Sequence, residues 1–226
     1  MPIGVSTGNE LECSAGTIGA RVTNGAAVYA LSNNHVYALE NDAPLGSRVL
    51  QPGLFDTSCA FSESNVLGTL SDFQPIVFSD TFPNTMDAAI ALSSTDDLRN
   101  STPAGGYGTP KSVHVVGRPG VGWNVQKYGR TSELTGGTVT GVNANVRVGY
   151  DSGTALFVDQ VIVEGRKPFI KSGDSGSMAV CDGACGIHPS ATPMGLLFAG
   201  DSSGKLAVAN RIDLVLSRFS VTVDGQ

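Results

Sequence analysis

The chain is a succession of short apolar runs separated by turn-forming residues. The runs Gly16–Arg21 and Ala26–Leu31 flank Asn24-Gly25, a dipeptide that takes up the left-handed backbone of a tight hairpin turn at little cost. Further strand-like runs lie at Ser47–Gln51, Val66–Leu70, Gln74–Phe78 and Asp87–Leu92. The stretch 96–111 carries Ser101-Thr102-Pro103, Gly105-Gly106 and Thr109-Pro110, shows no periodicity and reads as a linker. Beyond it, Val113–Gly117, Asn124–Tyr128, Thr138–Val148, Phe157–Val163, Met178–Val180, Gly195–Phe198 and Leu206–Ala209 qualify as strands. Within Thr138–Val148, Val142, Ala144, Val146 and Val148 alternate strictly, the period of a strand with one buried face. A single helix is predicted near the end, where Ile212, Val215, Leu216 and Phe219 share one face and Asn210 stands in position to cap it. The pattern gives an all-β chain in two halves of about six strands, 1–98 and 112–226, joined by a linker at 99–111. Short strands at such spacing build barrels or sandwiches.

Composition supports this reading. Charged residues make up only 15% of the 226, and glycine is abundant at 29, which favours short strands and tight turns over salt-bridged helices. A hydrophobic content of 41% excludes a disordered chain. No apolar run approaches the ~18 residues of a membrane-spanning helix. The net charge of −6 argues against a nucleic-acid partner and against an anionic membrane surface. Met1-Pro2-Ile3-Gly4-Val5 lacks the basic and apolar stretches of a signal peptide. That fits either a cytoplasmic chain or one beginning after a removed segment, and the composition favours the second, with a secreted or envelope location. The four cysteines, Cys13, Cys59, Cys181 and Cys185, allow three disulfide connectivities. Cys181, Cys185 and His188 form a C-x3-C-x2-H string. Zinc needs a fourth ligand or an open catalytic position, so a hairpin disulfide or free thiols are expected here instead of a metal.

Three strings carry candidate chemistry. In Gly173-Asp174-Ser175-Gly176-Ser177, glycines flank a serine. They permit a sharp turn that exposes the hydroxyl and turns backbone N–H groups toward a developing oxyanion. Taken alone, the same letters also spell a polar turn. In Tyr29-Ala30-Leu31-Ser32-Asn33-Asn34-His35-Val36, an apolar strand runs through a polar step into His35, a well-held base or an ordinary surface histidine. In Met86-Asp87-Ala88-Ala89-Ile90-Ala91-Leu92, an Asp opens an apolar strand. A carboxylate at the edge of a core needs a partner, and an imidazole N–H is a natural one.

Together the strings change the odds. Their order, His35, then Asp87, then Ser175, is that of the chymotrypsin-like enzymes and differs from subtilisin and the α/β-hydrolases. With SNNHV, MDAAIAL and GDSGS as local contexts, the chain resembles the trypsin/chymotrypsin-like serine peptidases, particularly their bacterial members, from about Gly16 to Phe219. The resemblance implies two six-stranded antiparallel β-barrels packed side by side, with a C-terminal helix. His35 and Asp87 would come from the first barrel and Ser175 from the second. It implies peptide-bond hydrolysis through an acyl-enzyme, with an oxyanion hole at the N–H groups of Gly173 and Ser175, a protein or peptide substrate, and no cofactor or metal. Gly195-Leu196-Leu197-Phe198-Ala199-Gly200 resembles the family strand that lines the specificity pocket. The walls of that pocket would be Phe169 and Ser172 on one side and Phe198, Ala199 and Gly200 on the other. No carboxylate lies in either wall, so small or medium apolar side chains are expected before the scissile bond. Asp201 follows the second wall and reads as a turn residue. Lys127 and Arg130, in the stretch that resembles the first hairpin of the second barrel, read as structural or exposed. In the family the Asp before the nucleophile often binds a freed N-terminal amine, and the role of Asp174 stays open. The rival reading is a protease-like fold serving as a binding or structural module.

Overall fold

Turn chemistry and strand alternation produce two rings of strands. The computed structural model describes residues 1–226. The first part of the chain forms β1 (Ser6–Asn9), β2 (Gly16–Thr17), β3 (Ala20–Thr23), β4 (Val28–Ser32), a single-turn helix α1 (Asn34–Tyr37), β5 (Arg48–Leu50), β6 (Val66–Phe73), β7 (Pro83–Asn84) and β8 (Ala89–Ser93). The second part forms β9 (Asn124–Gly129), β10 (Glu133–Tyr150), β11 (Gly153–Glu164), β12 (Met178–Cys181), β13 (Pro193–Gly200), β14 (Leu206–Arg211), helix α2 (Ile212–Phe219) and β15 (Thr222–Val223).

The first sheet runs β15-β3-β4-β8-β6-β5-β1-β2. Because β2 and β3 are successive pieces of one stretch, this ring is closed by the chain itself, with Ile18 N–H donating to Val5 O at 3.0 Å. The second sheet runs β10-β9-β12-β13-β14-β11, and pairing of β10 with β11 closes it. Six antiparallel strands thus make each barrel, and closure leaves few free edges. Two short strands cross over: β7 adds to β11 in parallel, and β15 pairs with β3. The Asn24-Gly25 signal becomes the β3–β4 hairpin, where Gly25 has φ +88° and the Asn24 side chain accepts from the N–H groups of Ala26 and Ala27.

The structure departs from the sequence pattern at four places. Gln74–Phe78 is not a ladder strand, because asparagine side chains bind its backbone: Ile76 N–H donates to Asn41 Oδ1 and Val77 N–H to Asn84 Oδ1, both at 2.8 Å. Val113–Gly117 also lies outside the strands. The polar run Ser6-Thr7-Gly8-Asn9 is a buried strand, its side chains satisfied by groups such as Leu50 O and Tyr37 O. Asn210 does not cap α2: Arg211 occupies the cap position, and the Asn210 side chain is engaged across the barrel interface. The cysteines pair as Cys13–Cys59 and Cys181–Cys185, so the latter two are bridged across their turn.

The apolar face of α2 explains how the barrels adhere. Ile212, Val215, Leu216 and Phe219 share one buried cluster with Ala20, Val22, Leu31 and Ile90 of the first barrel and Met178, Val180 and Leu196 of the second. Each large side chain so buried is worth about 1.5–3 kcal/mol. Arg218 ties the outer side of the helix to Asp72 at 2.8 Å.

Candidate active site

The end of β4 and the start of β8 lie side by side, which brings the His35 and Asp87 strings together. Ser32 pairs with Ala89, so the residues just beyond each strand meet. Asp87 is fully buried, and its Oδ2 lies 2.5 Å from His35 Nδ1, while its Oδ1 accepts from the His35 backbone N–H at 3.2 Å. A carboxylate oxygen accepts, so in the neutral imidazole Nδ1 carries the hydrogen toward Asp87 and Nε2 keeps a lone pair. Burial lowers the proton affinity of His35, but the Asp87 charge and hydrogen bond, with Glu40 and Glu12 beyond, outweigh it and hold the imidazole pKa above its ordinary value.

Side chains that the sequence did not tie to Asp87 fix it in place. Asn210, fully buried in β14, accepts from Asp87 N–H at 3.2 Å and donates to Asp87 O at 2.9 Å. Asn33 donates to the same carbonyl at 2.8 Å. Tyr150, at the tip of the β10–β11 hairpin, donates its hydroxyl to Asp87 Oδ2 at 2.9 Å.

The Gly173–Ser177 loop is a tight turn pressed against the first barrel. Thr17 N–H donates to Ser175 O, and Thr17 Oγ1 to Gly173 O, both at 2.8 Å. Gly176 has φ +93°, and a Cβ there would sit 2.2 Å from Ser32 Oγ and Thr17 O, so only glycine fits. Neighbouring N–H groups are used: Lys171 donates to Asp174 Oδ2, Asp174 to Lys171 O, Gly176 to Leu197 O and Ser177 to Asp174 O. The N–H groups of Gly173 and Ser175 make no hydrogen bond within the protein, which leaves two donors for an incoming oxygen. Ser175, Gly173 and His35 line one cavity of about 450 Å³ between the barrels.

Asp174 points inward and its carboxylate is saturated from within the second barrel. It accepts from Thr131 N–H at 2.8 Å, Ser132 N–H at 3.1 Å, Ser132 Oγ at 2.5 Å and Lys171 N–H at 2.9 Å, and it pairs with Lys127 Nζ at 3.3 Å. Both ion-pair partners are fully buried. Burial pulls the Lys127 ammonium below the ordinary lysine range, with Asp174 opposing that shift. The Met1 ammonium bonds instead to Asp97 O. Lys127 is therefore structural, as its context suggested, and supplies the cation that Asp174 needs. Lys127→Met is expected to lower unfolding free energy by about 3–5 kcal/mol, because it leaves a buried charge without its counterion. A loss under about 1 kcal/mol in chemical denaturation would show that the four remaining donors suffice.

Beside Ser175 a second cavity, of about 480 Å³, is lined by Ile170, Lys171, Ser172, Ala199, Gly200 and the Asp201–Gly204 turn. Ser172, Ala199 and Gly200 thus border the space next to the candidate nucleophile. Phe169 and Phe198 do not: Phe169 packs with Val139, Val163 and Leu197 inside the second barrel, and Phe198 stacks on Phe157 at 4.8 Å. The lining expected from Phe169 and Phe198 is corrected accordingly: the wall mixes Pro168, Ile170 and Ala199 with serines, glycine backbone and the exposed Lys171. Asp201 is exposed and its carboxylate is spent on its own turn, accepting from Ser203 Oγ at 2.6 Å and Leu206 N–H at 2.9 Å.

The whole chain superposes on known structures. Protease A from Thermobifida fusca matches over 100% of both chains with a TM-score of 0.67 at 18% identity. The fold is that of the chymotrypsin-like serine proteases. The Nocardiopsis protease, at TM-score 0.65 and 15% identity over 99% of both chains, shares this chymotrypsin-like fold. So does Cellulomonas bogoriensis chymotrypsin, at 0.64 and 14% over 100% of both. No family model and no curated protein matches the chain.

Proposed function

We propose that the protein is a serine endopeptidase using Ser175, His35 and Asp87 as nucleophile, base and orienting carboxylate. The observation that carries this reading is the 2.5 Å contact between His35 Nδ1 and Asp87, which in the neutral imidazole directs the hydrogen to Nδ1 and leaves Nε2 as the base, with His35 and Ser175 lining one cavity. In the proposed reaction Ser175 Oγ attacks the scissile carbonyl and His35 Nε2 takes the hydroxyl proton. Asp87 holds the tautomer and stabilises the imidazolium that forms. The free N–H groups of Gly173 and Ser175 receive the oxyanion. His35 then protonates the leaving amine, and a water activated by His35 releases the acyl group. No cofactor enters. The 1–98 segment would supply His35 and Asp87, and the 112–226 segment Ser175. A peptide would run from the cavity at Ser172 and Ala199, past Ser175, into the one bordered by His35.

The test is covalent labelling of the intact protein with a fluorophosphonate, followed by peptide mapping. The expected result is one adduct, on Ser175. Labelling needs neutral His35, so its rate falls as pH drops through the imidazole pKa. Because Asp87 raises that pKa, the midpoint is expected above ~6.5. No adduct between pH 5 and 9 would favour the binding-module reading, and a pH-independent rate would remove His35 from the mechanism.

A further inference from the structure

We propose that Tyr150 is a positioning residue of this triad, delivered to Asp87 by the tip of the β10–β11 hairpin and clasped there by Glu40. The proposal rests on the triad reading and deepens it. Asp87 Oδ2 receives two donors from different barrels: His35 Nδ1–H at 2.5 Å from the first and the Tyr150 hydroxyl at 2.9 Å from the second. Both converge on one oxygen, so the phenol sets where that oxygen sits and how much negative charge faces the imidazole.

The hairpin is built to make this reach. β10 runs for 18 residues, far beyond its pairing with β9 at Glu133–Thr138. Its outer part pairs only with β11, and a two-residue turn, Asp151-Ser152, joins Tyr150 to Gly153. β7 braces the β11 side at Leu156–Phe157, but beyond that point the ribbon has only two strands, an arrangement marginal in water, so its tip needs an anchor. Glu40 supplies one, its carboxylate accepting from Asp151 N–H at 3.2 Å and Ser152 N–H at 2.8 Å. Glu40 itself lies in three successive non-glycine residues with left-handed backbone, Leu39, Glu40 and Asn41, at φ 51°, 58° and 85°. Such conformations cost free energy and persist where surrounding contacts enforce them; here Asn41 is bonded to Asn34 and to both backbone groups of Ile76. The Tyr150 ring packs near His35 and Phe78, each at 5.8 Å between centroids, which fixes its direction.

The charged groups facing His35 are Asp87 at the start of β8, Glu40 beyond α1 and Glu12 between β1 and β2, with Asp42 and Asp151 lining the same cavity. Tyr150→Phe removes the hydroxyl, keeps the ring and alters none of these charges. Without that donor, Asp87 Oδ2 loses one of the two contacts that fix its position, which misaligns His35 and slows proton transfer, and it turns more charge toward the imidazole, which raises the imidazole pKa. The expected result is fluorophosphonate labelling of Ser175 slowed about tenfold, the effect of losing one hydrogen bond to a charged group, with the acid-limb midpoint moved to higher pH. In an Asp87→Asn background, Tyr150→Phe is expected to change the labelling rate less than about twofold, because the residue acts through Asp87. An unchanged rate and midpoint would overturn the proposal. So would a slower rate with an unmoved midpoint and a lowered melting temperature, the mark of a purely structural role. Absence of labelling in the parent protein would instead defeat the triad reading, and the role of Tyr150 with it.

Discussion

Ser175→Ala is expected to lower peptide turnover by about 10⁶-fold, the scale seen when a triad nucleophile is removed, while leaving the fold intact. The contacts that shape the loop belong to its backbone and to neighbouring side chains. Thr17 N–H still reaches the carbonyl of residue 175, Thr17 Oγ1 still reaches Gly173 O, and Asp174 keeps its five partners. The Ser175 hydroxyl makes no hydrogen bond within the protein, so losing it strands no partner. The two free N–H groups remain, and with bound substrate they should keep a residual acceleration of roughly 10³–10⁴ over water. Steady-state hydrolysis of a peptide library, with thermal denaturation as a control, checks both halves. Undiminished hydrolysis by the folded variant would remove Ser175 from the chemistry.

The three central residues were legible because each stands where a strand meets a turn, and side-chain type and flanking residues mark such junctions. His35 follows the apolar β4, Asp87 precedes the apolar β8, and glycines bracket Ser175. The residues that support them were hidden because a buried amide, phenol or ammonium looks like surface polarity until the topology is known. Asn210 illustrates this: its place before an amphipathic helix suggests a cap, yet β14 turns its side chain toward Asp87. Lys127 sits in an alternating strand whose inward face reaches Asp174. Tyr150 did leave a signal. It continues the period-two set Val142, Ala144, Val146 and Val148, and all but Val142 and Ala144 pack against the same small core as Phe157 and Phe198. Extending the alternation by one more step would have carried the inward face of the hairpin to its tip.

The pocket was misread for a related reason. Counting back from the nucleophile identifies the wall segment but not which way each side chain turns. Gly204 O accepts from both Phe169 N–H at 2.7 Å and Ile170 N–H at 3.0 Å, which pins the segment with the Phe169 ring in the barrel core. On the facing strand, β13 has a register irregularity between Leu197 and Ala199, where a bulge re-aims side chains, and Phe198 joins the apolar layer under the hairpin. What remains at the surface is a mixed wall of Pro168, Ile170 and Ala199 with serines, glycine backbone and Lys171.

Asp87→Asn is expected to lower kcat by about 10⁴-fold with little change in KM, and the geometry says why. Oδ1 accepts the His35 backbone N–H, an interaction that the amide oxygen of Asn reproduces, so the amide nitrogen falls at the Oδ2 position. That nitrogen is a donor, and it faces His35 Nδ1 at 2.5 Å and the Tyr150 hydroxyl at 2.9 Å. Tyr150 accommodates the change, because a phenol oxygen also accepts. The imidazole accommodates it only by moving its hydrogen from Nδ1 to Nε2. The lone pair that should receive the Ser175 proton is then replaced by an N–H, and the base is lost with the heavy atoms in place. The backbone clamps on residue 87 from Asn33 and Asn210 are independent of the carboxylate, so the variant should fold. The proposed substrate cavity is lined by Ser172, Ser175 and Ala199 and not by Asp87, which is why KM should hold. Steady-state kinetics on one peptide, with ¹⁵N NMR of the imidazole to read the tautomer, makes the test. A kcat within tenfold of the parent, or an unshifted tautomer in an inactive variant, would show that Asp87 does something other than orient His35.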